Sequence, residues 1–255
     1  MQLQLIDSHC HLDDPHFDVD RRAVLLRATQ AGVVAQLLPA VSAARWPVLK
    51  DVLALSDGLY AAYGLHPMFI DQHKEAHLDQ LQHWLAHEKP VAVGECGLDF
   101  FIKGLDQTAQ LHFFHQQLDL AVQFNLPVVI HARKSVDQVL RALRQRPTLT
   151  GVCHCFSGSE QQAKQLIERG FKLGFGGPIT YPRALKLRRL VMQLPLEVLL
   201  LESDAPDQPD QTHWGERNEP AYLSQVVQTV AELRGIEQAQ VASVTTNSAR
   251  QLFQF

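Results

Sequence analysis

No run of eighteen apolar residues occurs in this chain, so no membrane-spanning helix is expected. The first residues, Met1-Gln2-Leu3-Gln4, place no cationic region ahead of an apolar one. No secretory leader is read there, and the chain is expected to be cytoplasmic. Basic residues are not in excess: 23 Lys and Arg stand against 27 Asp and Glu, a net charge of −4. That excludes nucleic-acid affinity built on a broad basic surface, because such affinity comes from cations neutralising phosphates. An anionic substrate would have to be held locally. Cysteine is scarce too. Cys10, Cys96, Cys153 and Cys155 are expected as reduced, packed thiols rather than as a disulfide framework. No Gly/Ser/Pro linker, charge block or low-complexity segment divides the 255 residues, so 1–255 is expected to be a single domain.

What the chain does have is alternation. Short apolar runs bounded by turns predict strands at Leu3 to Ile6, Val33 to Pro39, Leu59 to Tyr63, Val91 to Glu95, Pro127 to His131, Gly151 to His154, Phe171 to Phe175 and Val198 to Leu201. Between them, apolar residues at three- and four-residue spacing predict helices over Arg21 to Ala31, Trp46 to Ser56, Leu78 to His87, Thr108 to Phe124, Val136 to Gln145, Gln161 to Arg169 and Ala184 to Gln193. Two more, about Ala221 to Leu233 and Glu237 to Leu252, follow the last strand. The strands are too apolar for a sheet facing solvent. Eight such strands alternating with helices predict an α/β fold, a (β/α)8 TIM barrel, with a doubly wound open sheet as the alternative.

Active sites of such barrels lie at the C-terminal ends of the strands, and ionisable residues crowd those ends here. Asp7, His9 and His11 share one face of the first strand, since alternate side chains of an extended chain point the same way. Glu95 ends the fourth strand, His131 the fifth, His154 the sixth, and Asp204 follows the eighth. One such residue could be a satisfied core histidine; five strand ends doing the same are not coincidence. Four imidazoles and two carboxylates suit divalent zinc, manganese, iron or magnesium, and are too many for one tetrahedral ion. Two metal ions are the natural count, and a carboxylate can bridge ions about 4 Å apart.

The ordered set Asp7-Ser8-His9-Cys10-His11-Leu12-Asp13, Gly64-Leu65-His66-Pro67, Gly94-Glu95-Cys96-Gly97-Leu98-Asp99, Val129-Ile130-His131, His154-Cys155-Phe156-Ser157-Gly158, Leu201-Glu202-Ser203-Asp204-Ala205-Pro206, Arg217-Asn218-Glu219-Pro220 and Thr246-Asn247 resembles the TatD family of metal-dependent hydrolases and deoxyribonucleases. The resemblance runs nearly end to end. It implies that His9, His11, Glu95 and Asp204 hold one ion and Glu95, His131 and His154 a second, with Glu95 bridging and Asp204 orienting or deprotonating the attacking water. It further implies a phosphodiesterase or DNase of 3′–5′ exonuclease type acting through metal-activated water, with zinc, magnesium or manganese as the ions. The sequence departs from the family pattern at Asp207-Gln208-Pro209-Asp210, where two added carboxylates are expected to repel a polyanion.

Several residues keep two readings. His66 ends the third strand and is expected at substrate phosphate or a metal-bound water, the alternative being a turn-stabilising histidine, and Arg217 is expected to grip an anionic group with its planar guanidinium. Asp7 and Asp99 are expected to support the ligands from behind. Phe100 and Phe101 could stack on a base or simply pack. His73 and His77, His83 and His87, and His112 and His115 have helical spacing and are expected on solvated faces of the covering helices. The expected substrate is a small phosphoester or single-stranded nucleic acid, with no membrane and no obligate protein partner, hence a monomer. The alternatives are hydrolysis of an ester or amide of a small molecule or an aminoacyl-tRNA, and a non-catalytic metal-binding barrel.

Overall fold

The structure, a computed structural model, describes residues 3–255; Met1 and Gln2, on which the reading of the leader partly rests, lie outside them. Eight strands and nine α-helices follow among the described residues: β1 (Leu5–Asp7), α1 (Arg21–Gln30), β2 (Val33–Pro39), α2 (Trp46–Leu53), β3 (Leu59–Tyr63), α3 (Glu75–Glu88), β4 (Ala92–Asp99), α4 (Gln107–Phe124), β5 (Val128–Arg133), α5 (Val136–Arg144), β6 (Gly151–Cys153), α6 (Glu160–Ile167), β7 (Phe171–Phe175), α7 (Leu185–Gln193), β8 (Leu199–Leu201), α8 (Leu223–Arg234) and α9 (Gln238–Phe253). The strands form one sheet in chain order, β1 through β8. Main-chain hydrogen bonds from Ser8 N–H to Leu201 O (3.0 Å) and from Asp204 N–H to His9 O (2.9 Å) join the end of β1 to the end of β8. A parallel sheet with a helix after every strand, joined first to last, is the (β/α)8 barrel expected from the sequence. No described helix is long and apolar enough to cross a membrane, and none of the four cysteines forms a disulfide.

Contacts group the chain into two compact units. The first comprises the N-terminal segment through Leu38, Val52–Tyr60 and Leu173–Phe255. In it β1 pairs with β2 (Leu5 opposite Val33, Asp7 opposite Gln36) and β7 with β8 (Leu173 opposite Leu199, Phe175 opposite Leu201). These strands are short apolar runs whose Leu5, Leu37, Leu173 and Leu199 are buried, and burial of such side chains, worth about 1.5–3 kcal/mol each, holds the sheet. Gly174 in β7 is fixed by packing: a Cβ there would collide with the Glu202 carboxylate.

The second unit comprises Pro39–Asp51 and Ala61–Lys172. Its long strand β4 pairs with β3 (Ala62 opposite Ala92) and with β5 (Val93 opposite Val128, Gly97 opposite His131, Asp99 opposite Arg133). The sequence reading ends this strand at Glu95, but β4 runs on to Asp99. The cause is a register irregularity between Val93 and Cys96, after which Cys96–Asp99 pair with Ile130–Arg133. Gly97 permits it: its φ is +141° and a Cβ would strike the His131 carbonyl. Behind β4 lies α4, capped by Asp106, whose carboxylate accepts from the N–H groups of Thr108 and Ala109. Its inner face buries Phe113, Phe114, Leu118 and Ala121, and with them Gln110 and Gln117.

Candidate metal centre

In the first unit the chain stays extended beyond β1, because Cys10 N–H donates to Leu37 O (3.0 Å) and His11 N–H to Ala205 O (2.8 Å). Cys10 accordingly points away from its neighbouring imidazoles and is fully buried, with burial raising its thiol far above the ordinary range. His9 and His11 share the other face, their Nε2 atoms 3.2 Å apart. Asp204 Oδ1 lies 3.6 Å from His9 Nε2 and 3.7 Å from His11 Nε2. Donors bound about 2.1 Å from one ion stand roughly 3–3.5 Å from each other, so the three fit a common cation. Asp204 adopts a positive φ of 57°, and its other oxygen accepts from Gln208 Nε2 at 2.5 Å.

Asp7 lies beside the segments that carry His9 and Asp204. Its carboxylate accepts from Ser203 N–H (2.9 Å), Ser203 Oγ (2.6 Å) and His9 N–H (3.2 Å), pinning the two segments that carry His9 and Asp204. Burial pushes its pKa up to about 7 against the pull of those hydrogen bonds.

In the second unit, one oxygen gathers three imidazoles. Glu95 Oε1 is 2.8 Å from His154 Nε2, 3.0 Å from His66 Nε2 and 3.1 Å from His131 Nδ1. His66 Nδ1 accepts the Met68 N–H, so the neutral His66 ring carries its proton on Nε2 and donates it to Glu95. His131 is different, since its Nε2 faces Asp99 Oδ2 at 3.0 Å while its Nδ1 faces Glu95. With its Nε2–H donated to Asp99, the neutral ring turns a lone pair toward Glu95, a clash that either a second proton on the ring or a cation between the two relieves. Burial opposes a charge on His131, but hydrogen bonds to Asp99 and Glu95 outweigh it and raise the pKa. A carboxylate–histidine pair presenting a free nitrogen beside a second carboxylate is a donor set made for a divalent ion. Asp99 is buried; hydrogen bonds from His131, Ile102 and Phe101 overcome its burial and hold it near pKa 2.

The remaining expected residues fall less simply. Arg217 is already engaged: its terminal nitrogens donate to both oxygens of Asp20 (2.8 and 2.7 Å), to Glu219 (2.9 Å) and to the His16 carbonyl, and its guanidinium lies 4.7 Å from the Phe17 ring centre. Asp210, expected to add free negative charge, is turned inward instead, accepting from Thr212 and pairing with His213 Nδ1 at 2.7 Å. Asp207 keeps a raised pKa through burial and the neighbouring Asp204. His73 departs from the solvated face expected of it: its Nε2–H donates to the His66 carbonyl (2.9 Å) and its ring packs on Phe113.

Four positions at the candidate site escaped sequence reasoning. Gln117 accepts from Leu65 N–H (2.7 Å) and donates to Leu65 O (3.1 Å), clamping the turn that presents His66. Gln110 does the same to Asp99, at 2.8 and 3.1 Å. Their signal was available: two glutamines seven residues apart on the inner face of one helix. The third is Glu202, a fully buried carboxylate with an oxygen within 4.8 Å of a His9 ring nitrogen. The fourth is Gln208, for which the sequence held no signal beyond its place in the loop.

A family model described as TatD related DNase matches residues 6–254. The uncharacterized metal-dependent hydrolase YjjV of Escherichia coli (strain K12) is 42% identical, covering 99% of each chain. The 3′-5′ ssDNA/RNA exonuclease TatD of Erwinia tasmaniensis is 33% identical over 98% of this chain and 99% of its own. The crystal structure of the TatD homolog YjjV from Escherichia coli K12 matches with a TM-score of 0.95 at 39% identity, covering 100% of both chains. The chain belongs to the TatD-related DNase family of metal-dependent hydrolases.

Proposed function

We propose that the protein hydrolyses phosphodiester bonds of single-stranded nucleic acid in 3′–5′ exonuclease fashion, at a centre of two divalent ions. His9, His11, Glu95 and Asp204 hold one ion and Glu95, His131 and His154 the other. The observation that carries this reading is the convergence of three imidazole nitrogens within 3.1 Å of one Glu95 oxygen. The name of the Erwinia relative supports the substrate class. When bound, zinc, magnesium or manganese lowers the pKa of water and neutralises charge on the phosphoryl oxygens.

The rest of the chemistry belongs to the chain. Asp204, with one oxygen tied to Gln208, keeps the other turned toward His9 and His11, where it accepts the proton of the attacking water. His66 donates its Nε2–H to Glu95, and with Glu95 drawn onto the ions that N–H would turn to a substrate oxygen. Asp99 holds His131 in the tautomer whose Nδ1 faces Glu95. Gln110 and Gln117 keep Asp99 and the His66 turn from drifting. Arg217, expected from the sequence to grip an anionic group, instead fixes the loop after β8 to Asp20 at the start of α1. The protein works as a cytoplasmic monomer in this reading.

The exposed Asp207 carboxylate beside Asp204, in the loop after β8, favours one second reading, hydrolysis of a less charged ester. Chelator-stripped protein, reloaded with each metal and given labelled single-stranded DNA and a panel of carboxylic esters, separates the two. Metal-dependent shortening of DNA from the 3′ end is expected. Ester turnover without any DNA cleavage would overturn the nuclease reading.

A further inference from the structure

Beyond the metal ligands, the ends of β4 and β5 carry an arrangement that none of the chemistry above uses. Arg133, opposite Asp99 in the β4–β5 pairing, lays its guanidinium carbon 3.8 Å from the centre of the Phe101 ring. The Phe101 side of this pair is set by the backbone: Phe100 N–H donates to Arg133 O (2.8 Å), and the N–H groups of Phe101 and Ile102 donate to Asp99 Oδ1 at 2.9 and 3.1 Å. Asp99 Oδ2 in turn faces both His131 Nε2, at 3.0 Å, and Arg133, at 4.0 Å. The loop holding the ring is therefore anchored to the carboxylate that orients a proposed metal ligand.

Phe101 is 52% exposed although it is large and apolar, and Arg133 is exposed beside it. An exposed phenylalanine ordinarily costs stability, and an exposed arginine ordinarily hydrates in several conformations. Here each fixes the other through a cation–π contact. The result is a prepositioned stack, the guanidinium over one face of the ring and the ring still half exposed, one residue removed from His131 through Asp99. Both components stack on the faces of unpaired bases, and the guanidinium can also donate to a phosphate. The local charge agrees, since Lys134 follows Arg133 and Lys103 lies in the Phe101 loop.

The geometry points to Phe101 and Arg133 as a stacking subsite for one unpaired nucleobase of the substrate, next to the bond that is cut. This rests on the nucleic-acid reading proposed above and adds to it a reason for single strands: a base still stacked in a duplex has no free face to offer. The subsite selects for the presence of a base and is indifferent to which base, because every base has such a face.

The test uses the purified, metal-loaded protein and two phosphorothioate-linked oligonucleotides that resist cleavage. One carries 2-aminopurine near its 3′ end, and in the other the corresponding positions are abasic. Binding is followed by 2-aminopurine quenching for the first and by anisotropy of a distant label for both. Wild type is expected to quench the probe and to prefer the base-bearing strand. Phe101→Ala is expected to abolish the quench and to lower the ratio of base-bearing to abasic affinity at least about fivefold, the low end of the loss on removing a stacking aromatic. Phe101→Trp should restore both, which a purely packing role would not predict. If Phe101→Ala weakens both strands alike, or neither, while wild type still cleaves DNA, the subsite is refuted and the nuclease reading stands. If wild type binds neither strand yet hydrolyses esters, the nuclease reading falls and takes the subsite with it.

Discussion

Around His9 and His11 the main chain does most of the positioning; around Glu95 a network of side chains is added to it. The first ligand set is fixed by hydrogen bonds from Ser8, Cys10, His11 and Asp204 to neighbouring backbone carbonyls, with Asp7 tying the Ser203 and His9 amides together. The second also hangs on main-chain bonds, from the N–H groups of His66, Glu95 and His154 to the carbonyls of Val41, Ala40 and Ile130, but its imidazoles converge on a single carboxylate oxygen and depend further on the side chains of Asp99, Gln110 and Gln117. A main-chain frame survives the loss of one side chain. A network of side chains that polarise one another does not, because each buried member left unmatched becomes a cost. Glu95 and Asp204, both carboxylates, therefore ought to fail differently.

The largest effects expose that contrast. Asp204→Asn is expected to lower kcat about 10²–10⁴-fold, the usual weight of a general base. It should keep most of its bound metal, since His9 and His11 stay in register without it. Glu95→Gln should lose activity at least as severely and lose metal too, because a neutral amide cannot supply the charge by which one carboxylate would hold two ions. Elemental analysis beside single-turnover kinetics reads both quantities. Equal metal retention in the two variants would erase the distinction drawn here.

A smaller effect separates the two supporting aspartates. In Asp99→Asn the amide keeps its oxygen for the Phe101 and Ile102 N–H groups and turns its NH₂ toward His131 Nε2. The histidine must then carry its proton on Nδ1, facing Glu95, and can no longer offer a lone pair there. Metal affinity should drop about 10–100-fold, as when such partners are removed elsewhere. Asp7→Asn sets its NH₂ against Ser203 donors instead, and should register chiefly as a stability loss of about 1–3 kcal/mol. Metal titration and thermal melts on the same two preparations check the pair of outcomes. A reversed pattern, with Asp7→Asn weakening metal and Asp99→Asn lowering the melting temperature, would contradict the division of labour.

What could be read from the sequence follows the same division. The proposed ligands stood out because each interrupts or ends an apolar run, as Ile130-His131 and Leu201-Glu202-Ser203-Asp204 do. The barrel was legible because its strands and helices repeat with different periods. The supports were not, for a physical reason. Gln117 meets Leu65 across 52 positions and Arg217 meets Asp20 across 197, and polar pairs that distant leave no local pattern. The extension of β4 to Asp99 was hidden as well, since the glycine-containing stretch Cys96-Gly97-Leu98 reads as a turn until its pairing with β5 is known.

The smallest effect concerns the histidine that sequence reasoning put on a solvated face. His73 donates its Nε2–H to the carbonyl of His66, and its buried Nδ1 has no hydrogen-bond partner. Burial pushes its pKa down to about 4, from an ordinary value near 6.5. A folded state that resists protonation is outcompeted by an unfolded one that accepts it. The stability His73 contributes is therefore complete above about pH 6.5 and is lost as pH falls from there toward 4. Discounted for the ring's partial exposure, the loss at pH 5 should be roughly 1 kcal/mol, or about 2–4 °C in melting temperature for a chain of this size. Glutamine can make the same donation to the His66 carbonyl without titrating. Melts of wild type and His73→Gln, both chelator-treated so that ligand protonation is common to them, should diverge as pH falls from about 7.5 to about 5, with the variant holding its stability better. Parallel curves would mean that His73 supports His66 without answering to pH, and that the side-chain-built half is less sensitive to acid than its histidines suggest.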